Sequence, residues 1–219
     1  MKVVQRLLCL LAPFIVTGQA LTCTSCVSLN GCEPNCTSSS SVQCSSSELC
    51  STTYRKKSQN GRYLYDIIRS CTPRERCGMV GGLSYADSKM SLGIGCCSTD
   101  GCTPVLPQLT QDASVSNGVQ CGTCSSSQST SCQTTGNIMC HGNETQCVTY
   151  SETVSGESWV FRGCGSSSLC KVPHHTTRVF GVAVEHSFTC MQNGVQRGGV
   201  TPGILLTALI CAVLMNYSM

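Results

Sequence analysis

The chain has 219 residues, of which 21 are cysteines, while only 11% are charged and 5% are aromatic. A cysteine content this high is typical of disulfide scaffolds, which persist in oxidising compartments, and it argues against a cytosolic protein. Because so few side chains are large, an extensive apolar core is excluded, and covalent bridges must supply much of the stability.

The first twenty residues have the order of a secretory signal peptide. Lys2 and Arg6 precede an apolar run over 7–16, and Gly18-Gln19-Ala20 offers small residues at the cleavage positions. We therefore expect residues 1–20 to be removed and the mature chain to begin near Leu21.

Nineteen of the 21 cysteines fall into two sets, one over 23–102 and one over 121–190. With Cys36 set aside, successive gaps are 3, 6, 12, 6, 21, 6 and 19 in the first set and 3, 8, 8, 7, 17, 6 and 20 in the second. This repeated order predicts duplicated domains over 21–103 and 121–193. The segment 104–120 has two prolines and no cysteine, which predicts a linker.

Each domain contains β-prone runs on either side of a turn signal. Asn60-Gly61 lies between the runs 51–54 and 63–68, and Ser155-Gly156 lies between 148–150 and 159–161. Sustained helical periodicity is absent from both sequence segments, so an all-β fold is predicted.

The C-terminal end has the pattern of a glycosylphosphatidylinositol (GPI) attachment signal. An apolar run over 203–215 is shorter than the roughly 20 residues of a membrane-spanning helix, and it follows a polar spacer with small residues. We predict attachment at Asn193, with Gly198 as the alternative, and loss of 194–219 as a propeptide. A short membrane span is the competing interpretation. Loss of both ends removes Lys2, Arg6 and Arg197, which leaves 11 basic against 11 acidic residues and no electrostatic support for nucleic-acid binding.

Two motifs identify a family resemblance. Leu21-Thr-Cys23-Thr-Ser-Cys26 opens the first domain and Cys96-Cys97-Ser-Thr-Asp-Gly-Cys102 closes it. With the repeated gaps, these motifs resemble the lymphocyte-antigen-six/urokinase-receptor superfamily, and most closely its two-domain, urokinase-receptor-like members. The resemblance implies two tandem three-finger (snake-toxin-like) domains, each with three β-hairpins projecting from a disulfide knot.

The resemblance also implies the disulfide pairing. In the first domain it implies Cys23–Cys50, Cys26–Cys32, Cys44–Cys71, Cys77–Cys96 and Cys97–Cys102, and in the second Cys121–Cys147, Cys124–Cys132, Cys140–Cys164 and Cys170–Cys190. The chain departs from the family pattern at Thr103, where asparagine is usual, and after Cys190, where Met191 replaces a cysteine.

Cys36 is left as an odd cysteine in this assignment. It lies within Asn35-Cys36-Thr37, an acceptor pattern for N-linked glycan that recurs at Asn143-Glu144-Thr145. We interpret Cys36 as a free thiol shielded by sugar at Asn35. The alternative is a disulfide-linked dimer through Cys36.

The sequence gives little support for catalysis or metal binding. The CxxC pairs at Cys23 and Cys121 would need free thiolates, which disulfide formation consumes. His174-His175 and His186 share one finger without a carboxylate at ligand spacing, so an exposed loop pair is expected rather than a metal site. The sequence has no Gly-x-Ser-x-Gly elbow. We predict a protein that is not an enzyme and needs no cofactor.

The function class that remains is recognition of a ligand at the protein surface. Arg55, Lys56, Lys57 and Arg62 are expected at the tip of the second finger as candidate ligand contacts, with a solvated turn as the alternative. Trp159 is a further candidate contact, and sheet packing is its alternative.

The predicted function is a GPI-anchored protein on the outer leaflet of the plasma membrane that recognises a protein ligand through its fingers or the groove between domains. One competing function is a secreted protein that resembles the two-domain phospholipase inhibitors of the superfamily. Another is a structural coat or adhesion molecule. The resemblance does not imply urokinase binding, because the urokinase receptor resembles a three-domain assembly whose central cavity needs all three domains, and two are predicted here.

Overall fold

A computed structural model describes residues 20–31, 36, 39–59, 61–172, 174–179 and 181–191. These residues form twelve β-strands and two short 3-10 turns, at Arg74–Arg76 and Leu169–Lys171. The strands are β1 (Thr22–Gly31), β2 (Ser40–Gln43), β3 (Glu48–Gln59), β4 (Arg62–Pro73), β5 (Val80–Tyr85), β6 (Ser88–Cys97), β7 (Ser116–Ser127), β8 (Gly136–His141), β9 (Gln146–Val154), β10 (Glu157–Gly165), β11 (His175–Val179) and β12 (Val182–Met191).

Consecutive strands pair as antiparallel hairpins, which gives three fingers in each domain. The predicted all-β fold of two three-finger domains is confirmed. A tight turn closes the central finger of the second domain where the sequence places it. Ser155 (φ 53°) and Gly156 (φ 86°) both have positive φ, the backbone that a two-residue hairpin turn requires.

The two domains share one sheet rather than standing apart. Its strand order is β11-β12-β9-β10-β5-β6-β3-β4-β1-β2, and β7 joins by pairing with β10 and β8. The domains meet where β10 pairs with β5, with Cys164 opposite Ser84 and Gly165 opposite Leu83. Main-chain pairing between β5 and β10 therefore forms part of the contact between the domains.

Most of the apolar core lies between the domains. Each domain's own buried cluster is made of four cysteines. The larger cluster combines side chains of β5 and β6 with side chains of the second domain, namely Met79, Leu83, Met90, Leu92, Ile94, Val148, Tyr150, Leu169 and Val172. Because burial of apolar area stabilises by about 25 cal/mol per Å², this shared core favours a fixed arrangement of the two domains.

Gly163 permits the close approach of β10 to β5. A Cβ atom at this position would overlap the carbonyl oxygen of Ser84. We expect Gly163→Ala to lower the free energy of unfolding by about 1–3 kcal/mol, because backbone, unlike a flexible side chain, cannot move aside cheaply. Gly136→Ala is the matched control, since nothing lies within 4 Å of its Cβ position. Equal denaturant midpoints for the two variants would contradict this account of the β5–β10 contact.

Eight of the disulfides join the cysteines that the family resemblance implies. In the first domain they are Cys23–Cys50, Cys44–Cys71, Cys77–Cys96 and Cys97–Cys102, and in the second Cys121–Cys147, Cys124–Cys132, Cys140–Cys164 and Cys170–Cys190. These bridges close loops with sequence separations of 5 to 27 residues.

The predicted Cys26–Cys32 bridge and the unpaired Cys36 are wrong in this structure, which pairs Cys26 with Cys36 at a Cα–Cα distance of 6.1 Å. Strand β1 continues to Gly31. Five extended residues beyond Cys26 cover about 16 Å, whereas a disulfide needs Cα atoms within about 7 Å. A partner for Cys26 must therefore come after the chain has turned back, as Cys36 does.

This pairing removes the basis for a dimer linked through Cys36. A signal for it was present in the sequence: with Cys32 set aside in place of Cys36, the first gaps become 3, 10 and 8, close to the 3, 8 and 8 of the second domain. Cys32 itself lies outside the described residues.

The predicted linker packs against the first domain. Thr52 donates a hydrogen bond from Oγ1 to the carbonyl oxygen of Pro104 at 3.2 Å. A Cβ atom on Gly93 would lie 2.8 Å from the Pro107 ring. Strand β7 then begins at Ser116. The connection between domains thus runs along β3 and β6, where it is held by specific contacts.

Candidate functional site

A buried ionic cluster ties the two domains together. Arg55, from the middle of β3, is only 3% exposed and donates from Nη1 to Tyr150 Oη at 2.9 Å and to Glu152 Oε1 at 2.8 Å. Its Nη2 lies 3.0 Å from Asp66 Oδ2, and Asp66 is 0% exposed. One guanidinium of the first domain therefore bridges a carboxylate of its own domain and two groups of the second.

The expectation of Arg55 as a contact at the finger tip is wrong. Strand β3 continues to Gln59, so Arg55 lies well inside the hairpin, on the face covered by β9. A run of three basic residues on a strand alternates between faces, and one face here is buried. A substitution that removes the charge of Arg55 would therefore disturb the contact between the domains, so it could not test ligand binding at the finger tip alone.

Burial and the charges of the cluster shift the pKa values of Glu152, Arg55 and His186. Burial alone would raise the pKa of Glu152, but the charge of Arg55 and the proximity of His186 hold it below its usual range. Burial favours a neutral Arg55, yet Tyr150, Glu152 and Asp66 outweigh burial and raise its pKa, so it stays protonated. Burial followed by the field of Arg55 lowers the pKa of His186 to about 3, which keeps this imidazole neutral at physiological pH.

Beside this cluster lies a groove of about 710 Å³, which we call the inter-domain groove. Both domains supply its walls. The first contributes residues from the fingers β1–β2, β3–β4 and β5–β6, and the second contributes β7, β9 and β10, including Leu29, Lys57, Leu64, Tyr85, Asp87, Met90, Tyr150, Glu152, Trp159 and Phe161. The volume is in the range of ordinary ligand sites, about 300–1,000 Å³.

Aromatic rings form much of one wall. The centroids of Tyr85 and Phe161, from different domains, lie 4.6 Å apart, and Tyr150 stacks on Phe188 at 4.8 Å. Because Tyr150 is also hydrogen-bonded to Arg55, these rings are fixed in position. The groove is thus a preformed, largely apolar surface with charged groups from Lys57, Asp87 and Glu152.

The other predicted contact residues occupy different environments. Lys57, with a side chain 31% exposed, places Nζ 2.8 Å from Asp66 Oδ2 and lines the inter-domain groove. Lys56 lies with Nζ 4.2 Å from the centroid of the Tyr63 ring. Arg62 is exposed at the start of β4, at the finger tip, and Trp159 is half-buried in the groove wall. The structure therefore brings Lys57 and Trp159 to the groove and leaves Arg62 at the tip.

The histidines are not an exposed loop pair, contrary to expectation. His174 is exposed, but His175 is half-buried in β11, opposite His186 of β12. His186 Nδ1 lies 2.9 Å from Tyr150 Oη. Tyr150, Glu152 and Asp66 were not predicted as site residues. The sequence repeats Thr-Tyr at 53–54 and 149–150, which marks the position of Tyr150 without indicating its role.

The cysteine sulfurs also form three close groups of the kind that hold metals, of which Cys121, Cys140 and Cys164 are one. Each of these sulfurs belongs to a disulfide, so none is the thiolate that zinc requires.

The predicted modification sites lie mostly beyond the described residues. Asn143 is exposed in the turn between β8 and β9, as a glycan acceptor requires. Asn35, Asn193 and Gly198 lie outside the described residues, as does nearly all of the predicted signal peptide. In the part of the chain that the structure describes, no helix has the length and apolar character to cross a membrane.

Comparisons with known proteins agree with the cysteine pattern. A model of the u-PAR/Ly-6 domain matches residues 19–105 and 117–195. Two phospholipase A2 inhibitor gamma subunits, from Elaphe quadrivirgata and Elaphe climacophora, are each 25% identical over 168 residues, which cover 74% of this chain and 82% of theirs. The crystal structure of mouse TEX101 is 18% identical, covers 78% of this chain and 99% of its own, and has a TM-score of 0.34.

Proposed function

Because this chain belongs to the u-PAR/Ly-6 domain family, we propose that it is an extracellular binding protein that holds a protein ligand in the inter-domain groove. The observation that carries this proposal is the 710 Å³ groove with walls from both domains. Its aromatic residues supply contact area, and Lys57, Asp87 and Glu152 supply polar groups that orient a ligand.

The shape of the groove favours a projecting segment of a protein. Leu29, 53% exposed, and Leu64 line the groove from the first domain, and Trp159 and Val154 line it from the second. An apolar side chain on a ligand loop that entered the groove would be buried against both domains, and its surface would be removed from water. Burial of this kind, at the centre of a contact and around aromatic residues, is where binding energy concentrates.

Substitutions at residues that line the groove test whether the ligand binds there. We expect Leu29→Asp to lower the affinity for the ligand at least tenfold, because it places a carboxylate in the groove, and Trp159→Ala to do the same by removing contact area. Val115→Asp is the matched control, since Val115 is 76% exposed and does not line the groove. Binding is measured by surface plasmon resonance against an array of cell-surface ectodomains and secreted phospholipases A2, with the 21–193 segment. Equal affinity of Leu29→Asp, Trp159→Ala and Val115→Asp for the captured partner would reject the groove.

We further propose that residues 194–219 are replaced by a GPI lipid on Asn193, or on Gly198. The support is the sequence order of small residues, polar spacer and terminal apolar run. Phosphatidylinositol-specific phospholipase C should release the protein from intact cells that express the full chain. Retention on the cells after this treatment, with a known GPI-anchored protein released in parallel, would reject the anchor.

A second candidate function is a secreted inhibitor of phospholipases A2. The observation that favours it is the match to the two inhibitor subunits, which extends over 168 residues and so exceeds one domain. Constitutive appearance of the protein in culture medium, together with saturable binding to a secreted phospholipase A2 in the array, supports this function over the anchored receptor.

A further inference from the structure

A second, much smaller cavity lies between the domains, behind the ionic cluster. It has a volume of about 20 Å³ and is lined mainly by residues of β3, β4, β11 and β12. Three of the residues that line it carry nitrogen donors, namely Arg55, Arg76 and His186. The cavity is therefore small, and two guanidinium groups line it.

Arg76 is the unusual member of this set. Its side chain is only 5% exposed, and among the described residues no carboxylate lies within ion-pair distance of it. The exposed neighbour Glu75 acts on it only through space, and burial lowers the pKa of Arg76. A buried cation without a counter-ion costs several kcal/mol, so such groups are normally paired.

The hydrogen bonding around the cavity is also incomplete. The Nε atoms of Arg55 and Arg76 are both buried and have no hydrogen-bond partner among the described residues. Buried N–H groups in proteins are nearly always bonded, and a bound ion or water is a common reason for an exception. Two cationic donors at one cavity therefore point to an acceptor inside it.

His186 lines the same cavity. Its Nδ1 lies 2.9 Å from Tyr150 Oη, and which of these two atoms donates depends on the imidazole tautomer. A neutral imidazole has one N–H group, which is at Nε2 when Nδ1 accepts from Tyr150. In that tautomer His186 offers a donor in addition to the two guanidinium groups.

We propose that this cavity binds one chloride ion, held by the guanidinium groups of Arg55 and Arg76 beside His186, and that the ion stabilises the contact between the two domains. A volume of about 10–15 Å³ admits one water-sized particle, so a cavity of about 20 Å³ has room for a monatomic anion. A water molecule would accept hydrogen bonds but would leave the charge of Arg76 uncompensated. This proposal is independent of the ligand in the inter-domain groove.

Denaturant unfolding of the folded protein in chloride, with gluconate replacing chloride at constant ionic strength, tests the site. Above half-saturation, each tenfold rise in chloride should lower the unfolding equilibrium constant about tenfold, as expected for one bound ion. Arg76→Met should abolish this dependence. Arg74→Met is the matched control, because Arg74 belongs to the same 3-10 turn and is exposed, and it should keep the dependence.

Equal stability of the wild-type protein in chloride and gluconate would overturn the proposal, as would the same chloride response in the Arg76→Met and Arg74→Met variants. If Arg76→Met fails to fold, crystals of the wild-type protein soaked in bromide provide the decisive measurement. An anomalous peak between Arg55, Arg76 and His186 is the expected result. A cavity with ordinary water density and no peak would contradict the site.

Discussion

Replacing Arg55 with methionine should lower the free energy of unfolding by about 3–5 kcal/mol. The substitution removes the cation that lies within 3.0 Å of Asp66 and 2.8 Å of Glu152, and it leaves Glu152 buried between the domains. Removal of one partner of a buried ion pair is strongly destabilising because the remaining charge loses both water and its counter-ion. Denaturant unfolding of the variant and the wild type, followed by tryptophan fluorescence, measures the difference.

Lys56→Met is the matched control for this substitution. Lys56 is the next residue of β3, and its described contact is with the Tyr63 ring, which is worth about 0.5–1 kcal/mol at an exposed site. A loss for Arg55→Met no larger than that for Lys56→Met would contradict the inter-domain role of Arg55. Adding Glu152→Gln to Arg55→Met should recover part of the loss, since it removes the stranded charge, and this double-mutant cycle isolates the pair.

Acidification from pH 7.5 to pH 5 should also destabilise the protein, by about 2 kcal/mol through His186 alone. The ordinary pKa of histidine is near 6.5 and applies to the unfolded chain, while the folded protein lowers it to about 3. Between these values the unfolded state binds the additional proton, so stability is fully present above pH 6.5 and falls by about 1.4 kcal/mol per pH unit below it.

Three further groups modify this pH dependence. Burial lowers the pKa of His175, which acts in the same direction as His186. Burial raises the pKa of Glu144, so protonation favours the folded state and offsets part of the loss near and above pH 4.5. The pKa of Glu152 is lowered in the folded protein, so its contribution to stability is lost only as the pH falls below its unfolded value of about 4.5.

The histidine contribution can be isolated with two variants. His186→Gln should show a markedly smaller difference between its urea midpoints at pH 7.5 and pH 5. His174→Gln, on the exposed histidine of the same finger, should behave like the wild type. If His186→Gln and wild type lose the same stability on acidification, the buried neutral imidazole is not the titrating group.

The fold was predictable because its main signals are local or repeated. The two cysteine sets predicted two domains, and Asn60-Gly61 and Ser155-Gly156 marked the turns of the central fingers. The exchange of Cys32 for Cys36 was not anticipated, because it depends on how far β1 extends before the chain turns back. That length is set by pairing with β4, where Gly31 lies opposite Tyr65.

The site was less predictable because its partners are distant in the chain. Arg55 belongs to a basic run that is typical of a solvated hairpin, and nothing local indicates a carboxylate 97 residues away. The shared core had the same difficulty, since Leu83 and Val148 belong to different domains on either side of a segment that has the composition of a free linker. The inter-domain groove exists only because these contacts fix the two domains together.

Site-specific photo-crosslinking tests the central claim, a protein ligand in the inter-domain groove, most directly. A photoreactive amino acid is placed at Leu64, in the groove wall, or at Arg62, two residues away at the exposed tip of the same finger. We expect the partner captured by the wild-type protein to crosslink at position 64 and not at position 62. Crosslinking of that partner at position 62 and not at position 64 would contradict the account and would assign recognition to the finger tip.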